Sequence, residues 1–149
     1  PDNAPAFAKF ASNWLDVRNG ALFPFGYGLS YTTFSYSDLK LSASEMTTDG
    51  SVKATVTVTN TGERDGDEVV QVYIRKADDV DGPIMSLRGF KRVHIKARKR
   101  AVVEIPLSAE NIDLFNPETG KMEAASGEYI IYYGGTSDIS KLRKLRIRI

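Results

Sequence analysis

From Phe34 onward, apolar and polar residues alternate with a period of two, as a strand with one buried face requires, because successive side chains point to opposite sides of a sheet. Over 51–60, Val52, Ala54, Val56 and Val58 alternate with Lys53, Thr55, Thr57 and Thr59; over 67–76, Val70, Val72 and Ile74 oppose Gln71, Tyr73 and Arg75. Each segment is predicted to be a half-buried strand. The connection 60–66 holds Asn, Gly and Asp, which tolerate positive φ or cap their own backbone, and predicts a hairpin or a close inter-sheet corner. Further strands are predicted at 34–42, 87–95, 100–107, 127–133 and 141–149. Turn chemistry separates them at Asp81-Gly82-Pro83, Asn116-Pro117-Glu118-Thr119-Gly120 and Gly134-Gly135. Strands at this spacing predict an all-β sandwich of about seven strands over 34–149. Pro106 cannot donate to a ladder, so its strand is expected at an edge or with a bulge.

Residues 1–33 differ in character. Ala-rich sequence with Phe7, Phe10 and Trp14 gives way to Gly and Pro, and no alternation is sustained before Thr33. Phe7, Phe10, Trp14 and Leu15 fall on one helical face and suggest a short helix. The pattern divides the chain into an extended linker at 1–33 and a sandwich at 34–149. A length of 149 residues fits one domain or a domain plus an extension. Twenty basic against nineteen acidic residues leave a net charge of +1, so no bulk field draws the chain toward nucleic acid or anionic lipid. Without cysteine there is no disulfide framework and no thiolate chemistry, and redox usage does not reveal the compartment. There is no apolar run near the roughly 18 residues that span a bilayer. Pro1 in place of an initiator Met, with no apolar leader behind it, reads as an excised, soluble piece.

The densest cluster of aromatics and glycines lies between these two parts. Phe23-Pro24-Phe25-Gly26-Tyr27-Gly28-Leu29-Ser30-Tyr31-Thr32 resembles the stretch of glycoside hydrolase family 3 enzymes where the catalytic part hands over to a C-terminal fibronectin type III-like domain. Val56-Thr57-Val58-Thr59-Asn60-Thr61-Gly62, Asp67-Glu68-Val69-Val70-Gln71-Val72-Tyr73 and Leu87-Arg88-Gly89-Phe90-Lys91 are similar to that domain in wording and order. Ser12-Asn13-Trp14-Leu15-Asp16, followed by Asn19-Gly20-Ala21-Leu22, resembles the bacterial periplasmic β-glucosidases most. The resemblance implies a fibronectin type III-like sandwich that is non-catalytic and braces the catalytic domains of its own parent chain. The implied parent is a retaining, exo-acting β-glucosidase, with a β-xylosidase as the alternative, in the periplasm or secreted. Phe23, Pro24, Phe25, Gly26, Tyr27, Gly28, Leu29, Ser30 and Tyr31 are the implied interdomain docking residues, and self-association of the isolated fragment is a consequence. No cofactor, metal, nucleic-acid or membrane partner is assigned. The rival reading is an autonomous carbohydrate-binding or adhesion module working through exposed Tyr and Phe.

Glycoside hydrolysis usually needs two carboxyl groups across the scissile bond, one protonated and one ionised. The family resemblance implies a nucleophile in an upstream Ser-Asp-Trp motif. The nearest words here are Ser37-Asp38-Leu39, which lacks the Trp and lies in a predicted strand, and Ser12-Asn13-Trp14, whose amide is no nucleophile. No residue is therefore assigned a catalytic role. His94, the single histidine, has no partner for a common zinc constellation and reads as a plain strand residue. The acidic turn Asp78-Asp79-Val80-Asp81-Gly82 fails as an EF-hand, because aligning Gly82 to the sixth position puts Ala77 first and Arg88 twelfth. Gly26-Tyr27-Gly28 begins like a dinucleotide fingerprint but lacks the third glycine. The basic stretches 91–100 and 141–148 read as solvated edges that deter edge-to-edge pairing, in preference to nucleic-acid binding. The aromatic run Phe23, Phe25, Tyr27, Tyr31, Phe34 and Tyr36 fits a sugar-stacking platform or a buried domain junction. The junction is favoured, because the signature's place in the resembling enzymes is a seam.

Overall fold

The computed structural model describes residues 22–80, 83–116 and 119–149. Along the chain run β1 (Phe34–Leu41), β2 (Ser51–Asn60), β3 (Gly66–Lys76), β4 (Ser86–Ile95) and β5 (Arg100–Ser108), then a one-turn helix α1 (Ala109–Ile112). A short hairpin of β6 (Leu114–Asn116) and β7 (Lys121–Glu123) follows, then β8 (Glu128–Gly134) and β9 (Arg143–Arg148). A three-stranded sheet of order β1-β2-β5 faces a four-stranded sheet of order β4-β3-β8-β9, and every ladder within them is antiparallel.

The alternation read from the sequence builds the core. Val52, Ala54 and Val56 of β2 pair across the ladder with Leu107, Ile105 and Val103 of β5, so one apolar face is continuous over both strands. Val70, Val72 and Ile74 of β3, Tyr129, Ile131 and Tyr133 of β8, and Ile147 of β9 close on it from the other sheet. Each aliphatic side chain buried in this way contributes about 1.5–3 kcal/mol. Gly89 of β4 permits the close approach of the two sheets, since a Cβ there would stand 2.8 Å from Ile105 Cγ2.

All seven predicted strands are present and are the seven of the sandwich. Of the two readings for 60–66, the inter-sheet corner is the observed one, because β2 and β3 lie in different sheets. Pro106 sits on β5, an edge strand. The basic stretches fall on β4 and β9, the two outer strands of the four-stranded sheet, and on the turn that leads from β4 to β5.

One expectation needs correction, and two features were not foreseen. β3 is not simply half-buried: Gln71 and Tyr73, on its outward side, are buried too, because other chain covers that face. The segment Ser37-Asp38-Leu39 lies in strand β1 as predicted, but as a bulge the period did not show, for the register with β2 shifts between Ser37 and Lys40 and Asp38 takes a φ of 52°. Helix α1 and the β6–β7 hairpin were not expected, since each is too short to show a period; the predicted turn at 116–120 is the hairpin's tip. The helical face of Phe7, Phe10, Trp14 and Leu15, the Ser12–Leu22 resemblance up to Ala21, and the Asp81-Gly82 and Pro117-Glu118 parts of two turns lie outside the described residues.

Candidate functional site

The implied docking segment divides into a backbone that is pinned and side chains that are not. Tyr27 N–H donates to the Pro24 carbonyl at 2.8 Å, closing a turn in which Gly26 has a φ of 80°. That conformation favours glycine at the third position of such a turn. Space demands it as well: a Cβ on Gly26 would run into the Gln71 side-chain amide and lie 2.7 Å from the Gly135 carbonyl oxygen. The Phe25 carbonyl accepts from Ser137 N–H at 2.7 Å and from Thr136 Oγ1 at 3.3 Å. The turn is thus laid against β3 and against the loop between β8 and β9.

Beneath it, Gln71 Nε2 donates to the Gly135 carbonyl at 3.2 Å, and the Tyr73 hydroxyl donates to Gln71 Oε1. These bonds satisfy the buried polar groups on the outer side of β3. The side chains of the segment point away from this anchor. Phe23 and Tyr27 touch each other, with ring centroids 5.1 Å apart, and both are exposed. Phe25 is exposed too, Leu29 is 97% exposed and Tyr31 91% exposed. Pro24 is half-buried, a Cβ added at Gly28 would meet nothing within 4 Å, and Ser30 Oγ accepts from Thr32 N–H at 3.3 Å.

Sequence reading missed the other wall of this site. A groove of about 490 Å³ runs between the segment and the outer face of β3 and β4, lined on its apolar side by Phe25, Leu29, Val69, Leu87 and Phe90. Leu87 and Phe90 are three residues apart and a strict period of two would send them to opposite faces. A bulge brings them together: Gly89 pairs with Val72 and Leu87 with Tyr73, so Arg88 is the extra residue. Arg88 in turn fixes α1 to β4, with Nη1 donating to Asp113 Oδ1 at 3.0 Å and Nη2 to the Asp113 carbonyl at 2.6 Å.

The polar end of the groove is formed by Asp67, Glu68 and Gln71. Hydrogen bonds from Arg92 and His94 hold the Asp67 carboxyl below its ordinary range, with His94 Nδ1 2.7 Å from Asp67 Oδ1. His94 is a residue of strand β4, as predicted, and its ring hydrogen-bonds Asp67, its partner across the β3–β4 ladder. Glu68 behaves in the opposite way. Burial pushes its carboxyl up, against the Tyr36 hydroxyl that donates to it at 2.5 Å. Tyr36 is itself pushed up, by burial first and then by this carboxyl. Tyr36 and Phe34 pack against the core, so these two members of the aromatic run belong to the sandwich itself. Among the described residues no group of three or more His, Cys, Asp or Glu side chains is placed to hold a metal.

Residues 68–137 match the fibronectin type III-like domain family. The chain is 46% identical over 130 residues to a xylan 1,4-β-xylosidase of Xylanibacter ruminicola, a match covering 87% of this chain and 15% of that protein. It is 39% identical over 135 residues to a periplasmic β-glucosidase of Salmonella typhimurium, covering 90% of this chain and 18% of that one. Its fold superposes on a β-glucosidase of Erythrobacter marinus with a TM-score of 0.81 at 33% identity, over 91% of this chain and 18% of the other. The chain spans less than a fifth of the length of these relatives. It belongs to the fibronectin type III-like domains that β-glucosidases and β-xylosidases carry.

Proposed function

We propose that this chain is the non-catalytic C-terminal accessory domain of a longer family 3 glycoside hydrolase, and that it braces the catalytic domains through the segment Phe23–Tyr31. The parent releases terminal β-linked glucose or xylose by a retaining mechanism and works in the periplasm or outside the cell. The observation that carries this reading is one of proportion. Relatives named as β-glucosidases and β-xylosidases match nearly the whole of this chain with less than a fifth of their own. The use made of carboxylates in the sandwich supports it: Asp67, Glu68, Asp113 and Glu128 are each held by a partner of the same chain. Asp67 and Glu68 share one end of the groove, one carboxyl lowered and the other raised, but both are engaged by side chains of this chain, whereas the two carboxyls of a hydrolytic pair must be free to face a scissile bond.

The test is hydrolysis of aryl β-glucosides and aryl β-xylosides by the 149-residue chain, with titration calorimetry against cello- and xylo-oligosaccharides beside it. The expected result is no turnover and no saturable heat. Turnover that follows the chain through repurification overturns the non-catalytic reading, and saturable heat overturns the brace in favour of a carbohydrate-binding module.

A further inference from the structure

We propose that the docking surface extends beyond the signature segment to the outer face of β3 and β4, where the groove walled by Leu29, Val69, Leu87 and Phe90 is a socket for an apolar, uncharged protrusion of the polypeptide that precedes Leu22. This rests on the accessory-domain reading above and names the second half of the surface and the chemistry of what fills it.

Three observations point there. The first is continuity. The chain comes into the described structure at Leu22, and within eight residues it has formed one wall of the groove with Phe25 and Leu29. Leu22 and Phe25 line a neighbouring hollow, so polypeptide joined to Leu22 is tethered within a few residues of the patch, at a high effective concentration that a separate partner lacks. The relatives are more than five times the length of the match, which leaves ample polypeptide to cover the patch.

The second is the kind of surface. Phe25, Leu29, Val69, Leu87 and Phe90 are all exposed along one groove. A contiguous apolar area of this kind marks an interaction site. Phe90 has no part in the core cluster, so folding of the sandwich does not account for it.

The third is the state of the polar groups. Asp67 is occupied by Arg92 and His94, Glu68 by Tyr36, and Gln71 by Gly135 and Tyr73. Groups with partners of their own are cheap to cover with protein, whereas unpaired ones are expensive. The same saturation argues against a sugar. Leu29, Val69 and Leu87 offer no hydrogen bonds to hydroxyls, and the groups that could do so are already engaged. It also argues against a charged occupant, since Asp67, which lines the groove, is already paired with Arg92.

The test is hydroxyl-radical footprinting of the full-length polypeptide. Phe115 is the internal standard: it lies on β6 with 63% exposure, against 68% for Phe90. With the socket filled, Phe90 labels about tenfold more slowly than Phe115, as befits a side chain at the dry centre of an interface. Equal labelling of Phe90 and Phe115 overturns the socket. If Phe25 and Leu29 are nevertheless protected, docking through the signature segment survives that failure; if they label freely as well, the bracing role falls with it. Protection of Phe90 that disappears on dilution to the monomer assigns the socket to a second copy and overturns the proposal too.

Discussion

Asn60 makes four hydrogen bonds with its side chain while fully buried. Oδ1 accepts from Thr32 Oγ1 at 2.5 Å and from Gly62 N–H at 3.0 Å; Nδ2 donates to the carbonyls of Arg64 at 2.8 Å and Ile95 at 2.9 Å. One amide thus ties the end of the N-terminal segment, the corner between the sheets and the end of β4. Asn60→Ala strands two carbonyls, a hydroxyl and an amide, and is expected to lower stability by about 2–4 kcal/mol in a denaturant melt. A loss below the error of the melt would show that water takes over these bonds.

Glu68 gives a prediction with a sign. Its folded pKa is raised by burial, so its contribution to stability is present when it is protonated and is lost as the pH rises through the folded pKa. Glutamine keeps an oxygen for the Tyr36 hydroxyl and carries no charge. Glu68→Gln should therefore be more stable than the parent at pH 7 and equal to it near pH 4. The lowered carboxyls of Asp67 and Asp78 weaken both proteins alike as the pH falls, so they drop out of the difference. A stability difference that stays constant from pH 4 to pH 7 would refute the assignment.

At the scale of elements, the turn Pro24–Tyr27 is held by its backbone and by one glycine that must fit above Gln71. Gly26→Ala is expected to lift it from β3 and leave the sandwich intact, because the core cluster takes nothing from this turn. Hydrogen exchange reads the result. The Ser137 amide, which donates to Phe25, loses protection, while amides in the β2–β5 ladder do not. Unchanged Ser137 exchange would mean that the turn is not held in this way.

The elements also show what could be read from sequence and what could not. β2 was legible to its last residue because Val52 to Val58 alternate strictly with Lys and Thr and one face alone is buried. β3 has the same alternation, yet its second face is covered by the Gly26 turn and the loop at 135–137, a tertiary fact that parity cannot carry. Leu87 and Phe90 share a face through a bulge at Arg88, which inverts the parity downstream of it. The site was therefore half legible. Its signature segment stood out by composition, whereas Val69, Leu87 and Phe90 looked like ordinary strand residues.

At the scale of the whole molecule, the chain enters and leaves at opposite ends. Phe25 and Gly26 lie against the loop that follows β8, whereas Ile149 exchanges two backbone hydrogen bonds with Gly127, just before β8 begins. The end near Ile149 is closed by that pair and by Met46 N–H donating to the Arg148 carbonyl. The entrance instead carries the exposed aromatics and the groove. A domain with one such face, taken from a longer polypeptide, leaves uncovered the surface that its own chain is proposed to fill. The isolated 149-residue chain is then expected to self-associate through this face, each copy standing in for the missing polypeptide. Sedimentation velocity over a concentration series tests it: the coefficient rises for the parent sequence and stays at the monomer value for Phe25→Ser with Phe90→Ser. Both residues are exposed and neither belongs to the core cluster, so the double variant keeps the sandwich and isolates the surface. A parent chain that stays monomeric at every concentration and binds no hydrophobic dye would mean that these side chains are content in water, and the case for a docking face would lose its physical basis.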